Sequence, residues 1–144
     1  MNVDKKNFWE NKIIGWEDIR YKSLSNNQSF FEKFVNKTNK TLIFRLNTAL
    51  EILKPLIKGK KVVELGCGSG QVFKNIDFEF DYYKAIDFSS EMCEIHPKHK
   101  NLELIPLDFD SNEFHQNIKN EKYDLILSSS ALQWSKNLTK IIKS

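Results

Sequence analysis

The chain has 144 residues, 40% of them hydrophobic and 28% charged, and carries a formal net charge of +3 at pH 7. That is one domain's worth of globular chain, long enough for an independent core. It holds no apolar run near the ~20 residues that span a bilayer, no signal-like apolar stretch behind Met1-Asn2-Val3-Asp4-Lys5-Lys6, and two cysteines, Cys67 and Cys93, too few for a disulfide framework, so a reducing cytoplasm is the expected setting.

Residues 1–40 read as a helical lid or cap segment, ahead of a domain over 41–144. Trp9, Ile13, Trp16 and Ile19 recur at helical spacing, interrupted by Gly15. Ser23 to Ser29 is a polar linker, and Phe30, Phe31, Phe34 and Val35 suggest a short second helix. This aromatic segment either packs on the main core or closes over a pocket. Glu10, Glu17 and Asp18 oppose a membrane-surface role. The first 60 residues hold 12 Lys and Arg against 6 Asp and Glu, and the remainder 10 against 13. Such a basic front half either attracts an acidic substrate or is solvated lysine. Leu42, Leu46, Ala49, Leu50, Leu53 and Ile57 then form the strongest helical stripe, with Thr41 as its expected cap and Pro55 and Gly59 as its expected end.

From Lys61 onward, strand and helix alternate. Strands are expected at 62–65, 82–86, 102–107 and 123–127, and helices at 72–76, 89–95, 114–118 and 132–142, with Ser89 or Ser90 capping the second of these. Repeated strand–helix units imply an α/β fold, a Rossmann-like parallel sheet with helices on both faces. Right-handed crossovers bring every strand's carboxyl end to one edge, where ligands bind.

Four sets of residues reach that edge. Gly66, Gly68 and Gly70 follow the first strand in a G-x-G-x-G loop that lets backbone approach a ligand. Asp87, 17 residues beyond Gly70, can accept protons from two ribose hydroxyls. Phe88 offers an apolar wall to a purine. Asp108 and Phe109 follow the third strand, and Asp108 can accept from an exocyclic amine. Ser128 and Ser129 follow the fourth. No lysine follows the glycines as in a phosphate-binding G-x-x-x-x-G-K loop, which disfavours a triphosphate.

Val63-Glu64-Leu65-Gly66-Cys67-Gly68-Ser69-Gly70 resembles the first motif of class I S-adenosylmethionine-dependent methyltransferases. Ala85-Ile86-Asp87-Phe88-Ser89-Ser90-Glu91-Met92, Leu107-Asp108-Phe109 and the run Tyr123 to Trp134 resemble its second, third and fourth segments, in order. The resemblance implies S-adenosylmethionine as cofactor and a role for each position. Glu64 orders the glycine loop and the methionine end, which Gly66 and Gly68 line, and Cys67 and Gly70 are counted among the cofactor-binding positions of the same loop. Asp87 holds the ribose and Phe88 flanks the adenine. Asp108 meets the adenine amine beside the Phe109 backbone, and the Ser128 carbonyl lies near the cofactor's amino group. Plainer readings stand beside these: Gly70 as close helix packing, Phe109 as core, Glu64 as an ordinary strand-end carboxylate. Ala131-Leu132-Gln133-Trp134 is similar to a narrower branch acting on carboxylates, the trans-aconitate and malonyl-carrier-protein methyltransferases. Gln133 and Trp134 then face the acceptor, or Trp134 packs under the sheet.

Other constellations carry less. Cys93, His96 and His99 are spaced C-x-x-H-x-x-H but offer three ligands interrupted by Pro97, so no metal is expected. His115 has no Ser or Asp partner for a hydrolase triad. No Pro-Pro-aromatic platform follows the fourth strand, so no nucleic-acid base is expected as acceptor. The catalytic residue stays unassigned, because a carboxylate acceptor needs no base and a hydroxyl does. The expected activity is methyl transfer to a small molecule, and the alternative is a cofactor-binding module without turnover. The family's sheet has seven strands and this chain ends one helix after the fourth. The expectation is a fragment of a longer protein, a second copy or partner chain completing the sheet, or a remnant.

Overall fold

The computed structural model describes residues 30–77, 79–118 and 121–143, with side chains described from residue 41 onward except at 42 and 43. The helix expected around Trp9 to Ile19 and the linker after it lie outside the described residues. The chain divides into two units between Glu51 and Ile52.

Helix α1 spans Phe30–Ile57. The two helices expected here are therefore one. No glycine or proline separates them, so Asn36, Thr38 and Asn39 lower helix propensity without ending it. Thr41 is consequently interior rather than a cap, and Pro55 is accommodated inside the last turn. Gly59, at φ +64, takes the left-handed turn after the helix.

The second unit is a four-stranded parallel sheet. Its strands are β1 (Lys61–Leu65), β2 (Tyr82–Asp87), β3 (Leu102–Pro106) and β4 (Leu125–Leu127), in the order β3-β2-β1-β4. The helices between and after them are α2 (Gln71–Lys74), α3 (Ser90–Ile95), α4 (Asn112–Ile118) and α5 (Leu138–Ile142). Pairing of Val62 with Tyr83 and Leu125, and of Val63 with Lys84 and Ile126, sorts the side chains onto two faces. One face carries Val62, Tyr83, Ala85 and Leu127 and packs with Ile57, Phe73 and Cys67. The other carries Val63, Leu65 and Ile86 and packs with Phe114 and Ile141. Each such large side chain contributes roughly 1.5–3 kcal/mol on burial.

β3 and α2 end one and two residues before the expected bounds, and two further elements are shorter for identifiable reasons. β4 starts at Leu125 because Asp124 turns its backbone and side chain onto Lys61: its N–H donates to the Lys61 carbonyl at 2.8 Å and its carboxylate accepts from the Lys61 N–H at 2.9 Å. The helix expected over 132–142 is broken into a 3₁₀ turn, Leu132–Trp134, and α5. Ser135 and Asn137 compete with the helix for hydrogen bonds. Ser135 Oγ donates to Asp110 Oδ1 at 2.7 Å, and Asn137 Oδ1 accepts from the Lys140 N–H at 3.1 Å as the cap of α5. Among the described helices, none is long and apolar enough to cross a membrane.

Candidate functional site

The registers Leu65↔Ile86 and Asp87↔Pro106 bring the carboxyl ends of β1, β2 and β3 to one level, with Glu64↔Leu127 adding β4. The loop after β1 folds across the end of β2: the N–H groups of Gly66 and Cys67 both donate to the Ile86 carbonyl, at 2.7 and 3.1 Å.

Asp87 and Gly68 form the centre of the edge. The Gly68 N–H donates to Asp87 Oδ2 at 2.8 Å, and the Ser89 N–H donates to Oδ1 at 3.0 Å. The Phe88 N–H also favours the charged carboxylate. Since an ionised carboxylate offers about four acceptor positions, acceptor capacity remains beyond these backbone contacts. Asp87 is 7% exposed. Burial raises its pKa above the ordinary value, against the Ser89 and Gly68 N–H groups and His96, which favour the charged form. Ser89 also caps α3, its Oγ accepting from the Met92 N–H at 3.2 Å.

The three glycines face different surroundings. At Gly68, φ +53, a Cβ would meet nothing within 4 Å, so the loop is open beside Asp87. At Gly66 the Ala131 side chain occupies the Cβ position, with Phe109 Cε1 at 4.0 Å. At Gly70, φ +79, a Cβ would lie 2.6 Å from His96 Nε2 and 2.8 Å from Pro97 Cδ. Gly70 is thus a packing glycine that lets the His96 ring close on the start of α2.

The remaining residues divide between core and rim. Glu64 is 1% exposed and points into the core, where its Oε2 accepts from the Tyr83 hydroxyl at 2.8 Å. Burial pushes its pKa up to about 7, the Tyr83 bond works the other way, and the charge of Asp87 adds to the rise. Cys67 and Phe109 are buried, one in each core cluster. Phe88 is half-buried immediately after Asp87. Asp108 is exposed, and its Oδ1 accepts from the Asp110 N–H at 2.8 Å to close the turn after β3. Ser128 Oγ donates to the Leu65 carbonyl at 3.0 Å, tying the ends of β4 and β1 together. Gln133 and Trp134 are exposed on the 3₁₀ turn.

The C-x-x-H-x-x-H residues diverge. Cys93 Sγ lies 4.0 Å from the Asp87 carbonyl, His96 Nδ1 lies 2.9 Å from the Pro97 carbonyl, and His99 Nδ1 accepts from the Asn101 N–H. Among the described residues no three His, Cys, Asp or Glu side chains gather to hold a metal. The sequence reading missed four relationships: Ser89 as second anchor of Asp87, Tyr83 as partner of Glu64, Ala131 over Gly66, and His96 against Gly70. Only the first had a signal, a capping serine two residues after the acid.

The Methyltransf_11 family model, a methyltransferase domain, matches residues 63–144. The chain belongs to this family. S-adenosylmethionine is the family's cofactor. The methyltransferase domain is 28% identical over 85 residues to the malonyl-[acyl-carrier protein] O-methyltransferase of Bacillus cereus, a match covering 58% of this chain and 31% of that protein. The chain therefore spans about a third of the length of the curated relatives it matches. Among solved structures, the magnesium protoporphyrin IX methyltransferase of Synechocystis with bound S-adenosylmethionine superposes with a TM-score of 0.66 at 13% identity, over 95% of this chain and 66% of that one. A chain from the complex of the Haloferax volcanii Trm112 methyltransferase activator with a methyltransferase gives 0.61 at 18%, over 97% and 52%. These likenesses establish a Rossmann-like methyltransferase fold.

Proposed function

We propose that this domain holds S-adenosylmethionine across the carboxyl edge of its sheet, and that the protein containing it transfers the methyl group to a small-molecule acceptor, a carboxylate or a hydroxyl. The observation that carries the reading is the Asp87–Gly68 pair. Asp87 keeps acceptor capacity beyond its backbone contacts, which ribose hydroxyls can use, and Gly68 leaves open space beside it.

In this reading Asp87 fixes the ribose, Phe88 flanks the adenine and Asp108 receives its amine. The backbone at Gly66, Cys67 and Gly68 lines the methionine end, together with the Ser128 carbonyl, while Phe109 floors the pocket through Gly66. Glu64 braces the loop from below through Tyr83, and Gly70 acts through packing. When bound, S-adenosylmethionine supplies both the methyl group and its own leaving group, so the protein's work is alignment. A carboxylate acceptor needs no general base. The similarity to malonyl-carrier-protein methyltransferases supports such an acceptor, and Gln133 and Trp134, exposed on the 3₁₀ turn, are the side chains assigned to meet it. Among the described residues β4 pairs on one edge only, and Ile126 within it is exposed. Further strands, from a longer chain or a second copy, would pair with the other edge. A cytoplasmic setting suits the thiols.

Calorimetric titration with S-adenosylhomocysteine tests the proposal. The wild-type chain should bind, and Asp87→Ala should lose at least about tenfold in affinity. Equal binding by a folded Asp87→Ala would overturn the ribose assignment. Methyl transfer to a panel of small carboxylic and hydroxy acids then tests the acceptor class.

A further inference from the structure

β1 and β4 run in register as far as Glu64↔Leu127. Beyond that pair, side chains join the two strand ends. Ser128 Oγ donates to the Leu65 carbonyl at 3.0 Å. The Ala131 methyl then rests on Gly66: a Cβ built there would lie 2.1 Å from the Ala131 Cβ and 3.6 Å from its Cα. Between these two contacts stands Ser130 at φ +65, the one non-glycine residue with a positive φ among the described residues. L side chains rarely take that conformation, and it persists where the surroundings hold it. Ala131 itself has an ordinary backbone, φ −108 and ψ −37, and opens the 3₁₀ turn, its carbonyl accepting from the Trp134 N–H at 3.0 Å. Gly66 is thus caught from two sides. Its N–H donates to the Ile86 carbonyl at 2.7 Å, and its α-carbon meets the Ala131 methyl.

We propose that Ala131 is a positioning residue for the amino-acid end of the cofactor. Seated in the slot that a Gly66 side chain would fill, it fixes the backbone from Gly66 to Gly68. It also ties that loop to the turn that carries Gln133 and Trp134. This role rests on reading the Gly66 to Gly68 backbone as the lining of the methionine end, whereas the seat itself does not.

The size of the side chain at 131 decides how well the seat fits. A glycine there would leave the slot empty and free the loop to slide toward β4. A valine would overfill it and push Gly66 off the Ile86 carbonyl. The adenosine end is held apart from this contact. Asp87 keeps its bond from the Ser89 N–H, and Ser89 is the cap of α3, outside the loop. A change at Ala131 is therefore felt at one end of the ligand. A residue that only filled the core would act on both ends alike or on neither.

Two measurements on the 144-residue chain test this. Amide hydrogen exchange needs no ligand. In Ala131→Gly the Gly66 N–H should exchange about tenfold faster than in wild type, while the Ser89 N–H keeps its rate. Unchanged exchange at Gly66, or equal acceleration at both amides, overturns the seat. Calorimetric titration then compares S-adenosylhomocysteine with 5′-methylthioadenosine, which keeps the adenosine and the sulfur and lacks the amino-acid end. Ala131→Gly and Ala131→Val should each lose about tenfold in affinity for the first and stay within about twofold of wild type for the second. Ser130→Pro cannot take φ +65 and so unseats Ala131 without altering it, and it should show the same split. Retained binding of the thioether reports that a variant is folded. Equal loss of both ligands in Ala131→Gly, or full affinity for both, overturns the positioning role. A wild-type chain that binds neither ligand overturns the cofactor reading and the positioning role with it, while the exchange rates alone still decide whether Ala131 holds Gly66.

Discussion

The Tyr83 hydroxyl donates to Glu64 Oε2 at 2.8 Å between the two central strands of the sheet. This places a carboxyl among Val62, Tyr83 and Ala85, and burial raises it to about pKa 7. The sign of the pH dependence follows. Folding favours the protonated acid, so the contribution is whole below the unfolded pKa of 4.5 and is lost as pH rises through about 7. Glu64→Gln keeps the hydrogen bond and removes the titration. Its melting temperature should therefore gain on wild type by more at about pH 8 than at about pH 5, with roughly 2–3 kcal/mol between the two conditions. A gain equal at both pH values would remove Glu64 as the titrating group.

The glycines separate packing from ligand contact. Gly70→Ala drives a Cβ into His96 and Pro97 at a left-handed φ, so it should cost about 3 kcal/mol or more in urea denaturation. Gly68→Ala meets only the backbone penalty, about 1–2 kcal/mol, because the space is open. Under the proposed function it should nonetheless abolish S-adenosylhomocysteine binding in calorimetry while the chain stays folded. The reverse ranking of stabilities would show that the loop packs otherwise.

The layered fold and the rim were legible because they depend on local patterns. Apolar runs ending in Gly66, Asp87 and Asp108 mark strand ends, and parallel topology alone brings those ends to one edge. Partners across the sheet were not legible, because they depend on register. Nothing in the run Lys61 to Leu65 says that Tyr83 rather than Tyr82 meets Glu64, and a shift of one residue would reverse it. The breaks were misjudged for a related reason. The apolar spacing from Leu132 to Ile142 outweighed Ser135 and Asn137 in the sequence reading, whereas their hydrogen bonds to Asp110 and Lys140 decide the outcome.

Lys84 sits in the middle of β2 at 3% exposure, its Nζ 2.6 Å from Glu121 and 3.3 Å from Glu103. Burial and the charge of Glu121 raise the pKa of Glu103. Burial also works against ionisation of Glu121, but the Lys84 and Tyr123 hydrogen bonds prevail and lower it. Both carboxylates are partly exposed and the lysine is not, so the two ways of breaking the cluster differ. Glu103→Gln with Glu121→Gln strands a buried ammonium and should cost about 3–5 kcal/mol. Lys84→Met leaves two carboxylates in reach of water and should cost under about 2 kcal/mol in the same denaturation assay. Equal losses would mean that the lysine is solvated.

His96 opposes Glu64 in its pH dependence. Its ring is 2% exposed, lies tilted against Phe73 with centroids 5.3 Å apart, and keeps Nε2 without a hydrogen-bond partner among the described residues. Burial holds its pKa below 6.5, reinforced by Lys74 and Lys98 and resisted by the Pro97 carbonyl and Asp87. The native state thus binds this proton less readily than the unfolded chain. Stability from the neutral ring is whole above pH 6.5 and is lost as pH falls through the native pKa. His96→Phe keeps an aromatic ring against Gly70 and cannot titrate. It loses the Nδ1 contact with the Pro97 carbonyl at every pH, so it should melt below wild type at about pH 8, and the gap should narrow toward about pH 5. Because Glu64 is present in both proteins, its opposite trend cancels in the difference. A gap that stays constant or widens on acidification would show that the histidine is charged within the fold and that the packing at Gly70 holds a cation.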